Sequence, residues 1–277
     1  MAQNNFDRRR INGPEESFPP VFEGEDDISD TLSGKPRAGR NPGDIRPIFL
    51  KAGLISQANG SAYIETARTK IACAVYGPRQ SKTTVYSENG RLNVEVKFTP
   101  FSCTRRRAPI RDAEDRSVAA QIQQALLPAV RLDLLPKSTI DIFVTIIEND
   151  GIEGCIASGS VAASAALADA GIEMLGLVMS CAAVSCSTLG KEIWLDPTEK
   201  EAHAASGSLI LAGMPALDTI TSVWQSGRMT PAQAIQVSEL CCSISNNAHL
   251  IGSFTVHGGL SRTFRRYSLH SRSGSSG

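Results

Sequence analysis

The sequence predicts an α+β fold with a largely antiparallel sheet, and three observations carry that prediction. Strand-like segments arrive in bursts instead of alternating one for one with helices. The apolar period switches from two to a helical spacing after Phe98 and back again at Ser138. A run of very small residues, Ser160 to Ala168, marks a helix that can approach a sheet closely.

Taken in order, Ile45–Leu54, Ser61–Thr66 and Lys70–Tyr76 are rich in apolar and β-prone residues and are assigned as strands. Arg91–Phe98 alternates Leu92, Val94, Val96 and Phe98, the period of a half-buried strand. In Asp115–Leu132 the residues Val118, Ile122, Leu126 and Val130 fall on one helical face, with Pro128 expected to kink the last turn. Ser138–Ile147 returns to alternation through Ile140, Ile142, Val144 and Ile146. Ser158–Ala170 is the small-residue helix, and Gly176–Cys186, Ile193–Leu195 and Ser208–Ala212 follow as strands. Thr230-Pro231 pairs an N-cap with proline at the first helical position and opens a helix to about His249.

Composition bounds the function classes. The 277 residues suffice for one large or two small domains with a real core. With 28 basic and 28 acidic residues, bulk charge recruits neither nucleic acid nor membrane; only local clusters can. The N-terminus has no apolar leader core, and no run approaches membrane-spanning length, so no membrane partner is expected. The seven cysteines show neither a C-x-x-C pair nor a Cys/His ligand spacing, and read as reduced core thiols of a cytosolic or nuclear protein. Residues 1–44 are polar and Pro/Gly-rich, with an acidic run Glu23–Asp27, and are expected to form an extended arm. Residues 45–260 form the folded domain, and 261–277 a flexible basic, Ser/Gly-rich tail.

The most telling local feature is an absence. From Ser138 to Gly190 there is no Lys or Arg, yet this stretch holds Glu148, Asp150 and Glu153 around a Gly-containing turn into a helix. Such a turn is a ready anion site, because free backbone N–H groups and the helix dipole converge there. Here a phosphate would meet acids in the same stretch and no base. The opposite feature is Thr104–Arg111, whose Arg105, Arg106 and Arg107 form the densest basic patch; alone, a triple Arg is more often a solvated surface. His203, His249 and His257 share no ligand spacing, there is no Walker-type loop, and two Trp with four Tyr suggest no stacking platform.

Five stretches, Arg9–Ser17, Ser56–Tyr63, Gly77–Gln80, Ala168–Met174 and Leu195–Thr198, resemble the RNase PH superfamily, and within it the ring subunits of the eukaryotic RNA exosome. The resemblance implies an RNase PH-like fold related to ribosomal protein S5 domain 2, a mixed sheet with packed helices. It implies a pseudo-hexameric ring around an RNA channel, with other RNase PH-like subunits, S1/KH-type cap subunits, RNA and an associated hydrolytic nuclease as partners. It also implies residence in nucleus, nucleolus and cytoplasm. Active relatives degrade RNA from the 3′ end by phosphorolysis, holding phosphate with a Gly-Gly-Thr-Arg turn and a metal with later carboxylates. Counted back from Ala166–Ala170, that turn falls on Glu153-Gly154-Cys155-Ile156, without its arginine. With Asp196 on the family's strand-end Asp, Lys200 and Ala204 stand where active members carry two carboxylates, with Glu199 and Glu201 close by.

The implied role is a non-catalytic structural ring subunit, with no catalytic residue, no metal ligand and no cofactor. Arg105, Arg106, Arg107, Arg111 and Arg79 become candidate RNA contacts, because guanidinium groups fork two hydrogen bonds onto phosphate. The competing readings are an active phosphorolytic 3′-to-5′ exoribonuclease with a displaced site, and a free RNA-binding adaptor.

Overall fold

A computed structural model describes residues 40–80, 86–103, 106–107, 113–186 and 192–242. Two sheets enclose a central helix. The first has five strands in the order β1-β2-β3-β5-β4: β1 (Ile48–Ala52), β2 (Gly60–Thr66), β3 (Thr69–Gln80), β4 (Arg91–Phe98) and β5 (Ser138–Glu148). The second is β7-β6-β8-β9: β6 (Met179–Cys186), β7 (Glu192–Leu195), β8 (Gly207–Met214) and β9 (Thr219–Gly227). Every pairing is antiparallel except β4 with β5. That exception has a cause: parallel neighbours need a long crossover, and helix α1 (Ala113–Leu126) lies in it. Among the described residues no helix is long and apolar enough to cross a membrane.

Helix α2 (Ile152–Asp169) is the centre of the molecule, in contact with β2 and β3 on one side and β6 and β8 on the other. A helix flanked by two sheets must be apolar nearly all round, and its buried positions are chiefly Gly, Ala and Ser. Small side chains bring the backbones together. A Cβ at Gly60 on β2 would lie 2.3 Å from the Ala166 carbonyl oxygen and the Ala170 nitrogen, so only glycine fits there. The two buried serines of the helix are satisfied: Ser160 Oγ donates to the Ile156 carbonyl at 2.8 Å, and Ser164 Oγ accepts from the Val178 N–H at 2.8 Å. Ile71, Cys73 and Val75 of β3 and Ile140, Ile142, Val144 and Ile146 of β5 form the facing core layer.

The second sheet is covered outside by helix α4, residues 231–242, whose Val237 and Cys241 pack on Leu195, Leu209 and Leu211. Thr230 and Gln233 cap it reciprocally, as the Thr-Pro start predicts. Cys73, Cys155, Cys181 and Cys241 are buried free thiols.

Several expected bounds move. Leu127 precedes Pro128 and so resists α geometry; α1 therefore stops at Leu126 instead of running kinked to Leu132, and Val130 bridges to Met174. Helix α2 begins six residues before Ser158, capped by Gly151 at φ 115°. Glu199–Ala204 is a short helix, α3, where an acidic turn was expected, because Thr198 and Glu201 form a capping box. Strand β9 went unassigned; TITSVWQSG is polar and only weakly alternating, and it forms by pairing with β8. Residues 1–39, the end of the helix expected to reach His249, and the tail lie outside the described residues.

Candidate functional site

The acidic turn and the basic patch meet at the N-terminal end of α2. The turn positions Glu153, Gly154, Cys155 and Ile156 lie in the first turns of that helix, where Gly154, Cys155 and Ile156 are buried. Cys155 Sγ donates to Asn149 Oδ1 at 2.9 Å, and burial pushes its thiol pKa up. Asp150 is nearly buried, and its partner is Arg46 from the segment leading into β1.

Arg46 holds two carboxylates together. Its Nη1 donates to Asp150, while Nε and Nη2 fork onto Asp196 at 2.7 and 2.6 Å and its backbone N–H adds a third bond at 3.0 Å. Arg40 extends the cluster, 3.4 Å from Asp196 and 3.6 Å from Glu201. Burial works against charge on Arg46, but the hydrogen bond and charge of Asp196, then those of Asp150, outweigh it and raise the guanidinium's pKa. Burial likewise pushes Asp196 up, and Arg46 and then Arg40 reverse this, leaving the carboxyl below its ordinary range. The base missing from the acidic stretch is thus supplied from elsewhere in the chain, a correction to the one-dimensional reading. It is wholly committed to acids.

Beside this cluster opens a cavity of about 440 Å³, lined by Cys103, Arg106, Arg107, Asn149, Glu153, Glu199 and His203, among others. The two described arginines of the basic patch play different parts there. Arg107 Nη1 pairs with Glu114 at 2.8 Å, its guanidinium stacks 4.1 Å from the Phe98 ring centroid, and Nε donates to Cys103 Sγ at 3.1 Å. Arg106 is exposed and makes no ion pair among the described residues. Arg105 and Arg111 lie outside the described residues.

Arg79 is not brought to this place. It pairs with Thr139 at the start of β5, whereas Phe98, which leads to the patch, pairs with Ile146. Seven strand steps separate the two ends, roughly 23 Å at ~3.3 Å per residue. The exposed Arg79 guanidinium sits 5.1 Å from the Tyr76 ring centroid.

Among the described residues no group of three or more His, Cys, Asp or Glu is placed to hold a metal. Asp196 has both oxygens bound by arginines, and Glu201 accepts from the Thr198 N–H at 2.9 Å as part of the α3 cap. Sequence reasoning missed Arg46, for which no local signal exists. It also missed a gathering of aromatic residues: Phe49 with Tyr63 and Tyr76 with Phe143 form two edge-on pairs, with centroids 6.4 and 5.7 Å apart.

Comparison with known proteins agrees with this geometry. A model of the 3′ exoribonuclease family, domain 1, matches residues 44–173. The exosome complex component mtr3 of Schizosaccharomyces pombe is 35% identical over 248 residues, covering 88% of this chain and 93% of the relative. Exosome complex component MTR3 of Homo sapiens is 38% identical over 237 residues, covering 80% of this chain and 83% of the relative. Among solved structures, rice (Oryza sativa) Rrp46 superposes with a TM-score of 0.66 at 20% identity, over 76% of this chain and 94% of that one. A chain of the Archaeoglobus fulgidus exosome with RNA bound to the active site gives 0.69 at 16%, over 80% and 94%. With 35% of aligned residues identical across 93% of the mtr3 relative, the chain belongs to the RNase PH, or 3′ exoribonuclease, family.

Proposed function

We propose that this chain is a non-catalytic ring subunit of the eukaryotic RNA exosome, supporting 3′-to-5′ RNA processing and degradation without performing the cleavage. The observation that carries the reading is the Arg46 cluster. The strand-end carboxylate of Asp196 is spent on Arg46 and Arg40, and the turn where the family resemblance calls for a phosphate-binding arginine has Ile156 in that place and opens on Glu153. A carboxylate facing a phosphate oxygen at close range is repelled by about 1–4 kcal/mol at effective dielectrics of 80 to 20. The relatives named as exosome components support the ring role and the partners: other RNase PH-like subunits, S1/KH-type cap subunits, RNA and an associated hydrolytic nuclease. Nucleus, nucleolus and cytoplasm follow from the same reading.

Within the ring, Arg106 is the described side chain best suited to meet an RNA backbone, since it makes no ion pair among the described residues and borders the cavity. Arg105, Arg111 and Arg79 are proposed as further contacts. Arg107 contributes by holding the loop to α1 through Glu114. Backbone contacts raise affinity without setting sequence preference. The test is phosphate-stimulated release of nucleoside diphosphates from a tailed RNA. None is expected from the isolated chain, and release abolished by Glu199→Gln would establish the rival reading, an active phosphorolytic enzyme with a displaced site. In the assembled ring, Arg106→Ala should flatten the slope of log affinity against log salt by ~0.7 per lost contact. The loss should be equal for poly-A and mixed sequences.

A further inference from the structure

Two threonines at the turn between β2 and β3 face successive turns of α2, and their hydroxyls fare differently. Thr66 Oγ1 lies 3.4 Å from Ser158 Oγ. Thr69, the first residue of β3, is wholly buried, yet its Oγ1 has no hydrogen-bond partner among the described residues. Across from it stands Gly154, four positions before Ser158 and so one turn earlier on the same helix face. Where Ser158 answers a hydroxyl with a hydroxyl, Gly154 has no side chain to offer. Buried hydroxyls in native structures are rarely left in that condition.

The space between the two residues is bounded by polar atoms. A Cβ built on Gly154 would lie 3.7 Å from Thr69 Oγ1 and 4.0 Å from Arg46 Nη2, with nothing else within 4 Å outside its own stretch of helix. Both atoms stand about an ångström beyond hydrogen-bonding distance from that point. Gly154 and Arg46 are buried, as Thr69 is, so the space is enclosed. Arg46 can still donate into it, because Nη2 carries two N–H groups and one of them serves Asp196. The N–H of Gly154 is also uncommitted within the helix, whose first described bond runs from the Cys155 N–H to the Gly151 carbonyl at 3.1 Å.

The chemistry selects the occupant. A cation is repelled by Arg46. An anion would sit beside Asp150 and Asp196, on which the charge of Arg46 is already spent, and next to Glu153. What fits is a small neutral molecule that accepts from Arg46 and exchanges a hydrogen bond with Thr69. We infer that Gly154 marks a buried water-binding site, in which one water joins Thr69 to Arg46 and ties the β2–β3 turn to the Asp150–Asp196 cluster. Buried waters typically make about two to four hydrogen bonds to such groups and are costly to remove. The site stands on this local geometry and does not depend on the ring reading.

The test follows urea unfolding of the full chain and counts long-lived internal waters by magnetic relaxation dispersion of the water oxygen. Thr69→Val keeps the shape and deletes the hydroxyl. With the water in place it should lower the folded-to-unfolded ratio about fivefold or more; a hydroxyl with no partner at all would make the same change favourable. Gly154→Ala fills the site. Helix propensity alone would raise the ratio about fourfold to fivefold, whereas displacing the water should lower it and remove one long-lived water. In the Gly154→Ala background Thr69→Val should reverse its sign, since the hydroxyl it deletes is then stranded. Gly154→Ser puts a hydroxyl in the water's place and should recover most of the loss. Gly43→Ala, where a Cβ meets nothing within 4 Å, should leave the water count unchanged. A gain in stability from Gly154→Ala overturns the inference, as does an unchanged water count in that variant or the same effect of Thr69→Val in both backgrounds. Should a variant not fold, crystallographic density in the unaltered chain decides: a water peak within hydrogen-bonding distance of Thr69 Oγ1 and Arg46 Nη2 supports the site, and its absence overturns it.

Discussion

Replacing Arg46 by Met removes the one group that neutralises both Asp150 and Asp196. The three side chains are 7%, 12% and 14% exposed, so the carboxylates left behind cannot be rescued by water as surface groups would be. Breaking a buried pair by deleting one partner costs about 3–5 kcal/mol, since the other charge stays buried and uncompensated. Arg40 remains near Asp196 at 3.4 Å, which places the expected loss toward the lower end. Against a total stability of about 5–15 kcal/mol for a typical domain, that is a large fraction. Urea unfolding followed by fluorescence of Trp194 and Trp224 reads it directly, one tryptophan on each edge strand of the second sheet.

The pH profile gives a sharper reading than the magnitude. In the unaltered chain Asp196 is held below its ordinary pKa, so its stabilisation is present above about pH 3.9, the value for an unfolded Asp, and is lost as pH falls through the lowered folded value. In Arg46→Met the burial that pushes the Asp196 carboxyl up is opposed by Arg40 alone, and its folded pKa should rise above the unfolded one. The variant then carries a penalty at neutral pH that is relieved as pH falls through the raised value. Between pH 7 and about pH 4 the variant should gain stability relative to the unaltered chain. Adding Asp150→Asn and Asp196→Asn should recover part of the loss, with a coupling of about 0.5–3 kcal/mol. A deficit under about 1 kcal/mol with parallel pH profiles would refute the reasoning, because it would mean that the cluster is hydrated and exchanges freely with solvent.

Gly60→Ala forces a Cβ to 2.3 Å from backbone atoms of Ala166 in α2 and of its C-cap Ala170 and should cost at least the ~1–3 kcal/mol of an overpacked core, whereas Gly43→Ala, with nothing within 4 Å, should stay within about 0.5 kcal/mol in the same unfolding experiment. Thr198→Ala removes the α3 cap and should cost about 1 kcal/mol; it should also speed amide exchange at Glu201, whose N–H donates to Thr198 Oγ1. Glu114→Gln takes the principal ion-pair partner from Arg107, so cleavage of the native chain by trypsin after Arg107 should quicken; an unchanged rate would mean that Phe98 and Cys103 suffice to hold it.

How much of this was legible in the sequence depends on the range over which each feature is determined. Strand β4 was assigned with its observed bounds, and β5 within one residue, because alternation at Leu92, Val96 and Phe98 and at Ile140 to Ile146 is imposed by one buried face. The first turns of α2 carried the same kind of signal, since Ile152, Cys155 and Ile156 share a helical face, but Asp150 before them and Glu153 among them suggested a turn. Strand β9 had no such signal; its burial is partial and its partner is β8.

The site divides in the same way. A triple arginine is visible as a cluster, yet its members diverge in space: Arg107 turns to Glu114 and Phe98, while Arg106 faces solvent. The aromatic residues were counted as too few, and only strand register shows that four of them share one face. The acidic turn looked unneutralised because charge balance was read along the chain, whereas Asp150 finds its counter-ion 104 residues away and Asp196 finds the same one 150 residues away. Arg46, a lone arginine before a proline, gives no hint of either bond. An Asp at a positive φ of 50°, as Asp196 adopts after β7, is a conformation that needs support from its surroundings. The support comes from the three bonds of Arg46 and from the Ala182 carbonyl, which accepts the Asp196 N–H at 2.8 Å. The segment entering β1 therefore fixes the end of β7 and the start of α2 at once, tying the first sheet to the second.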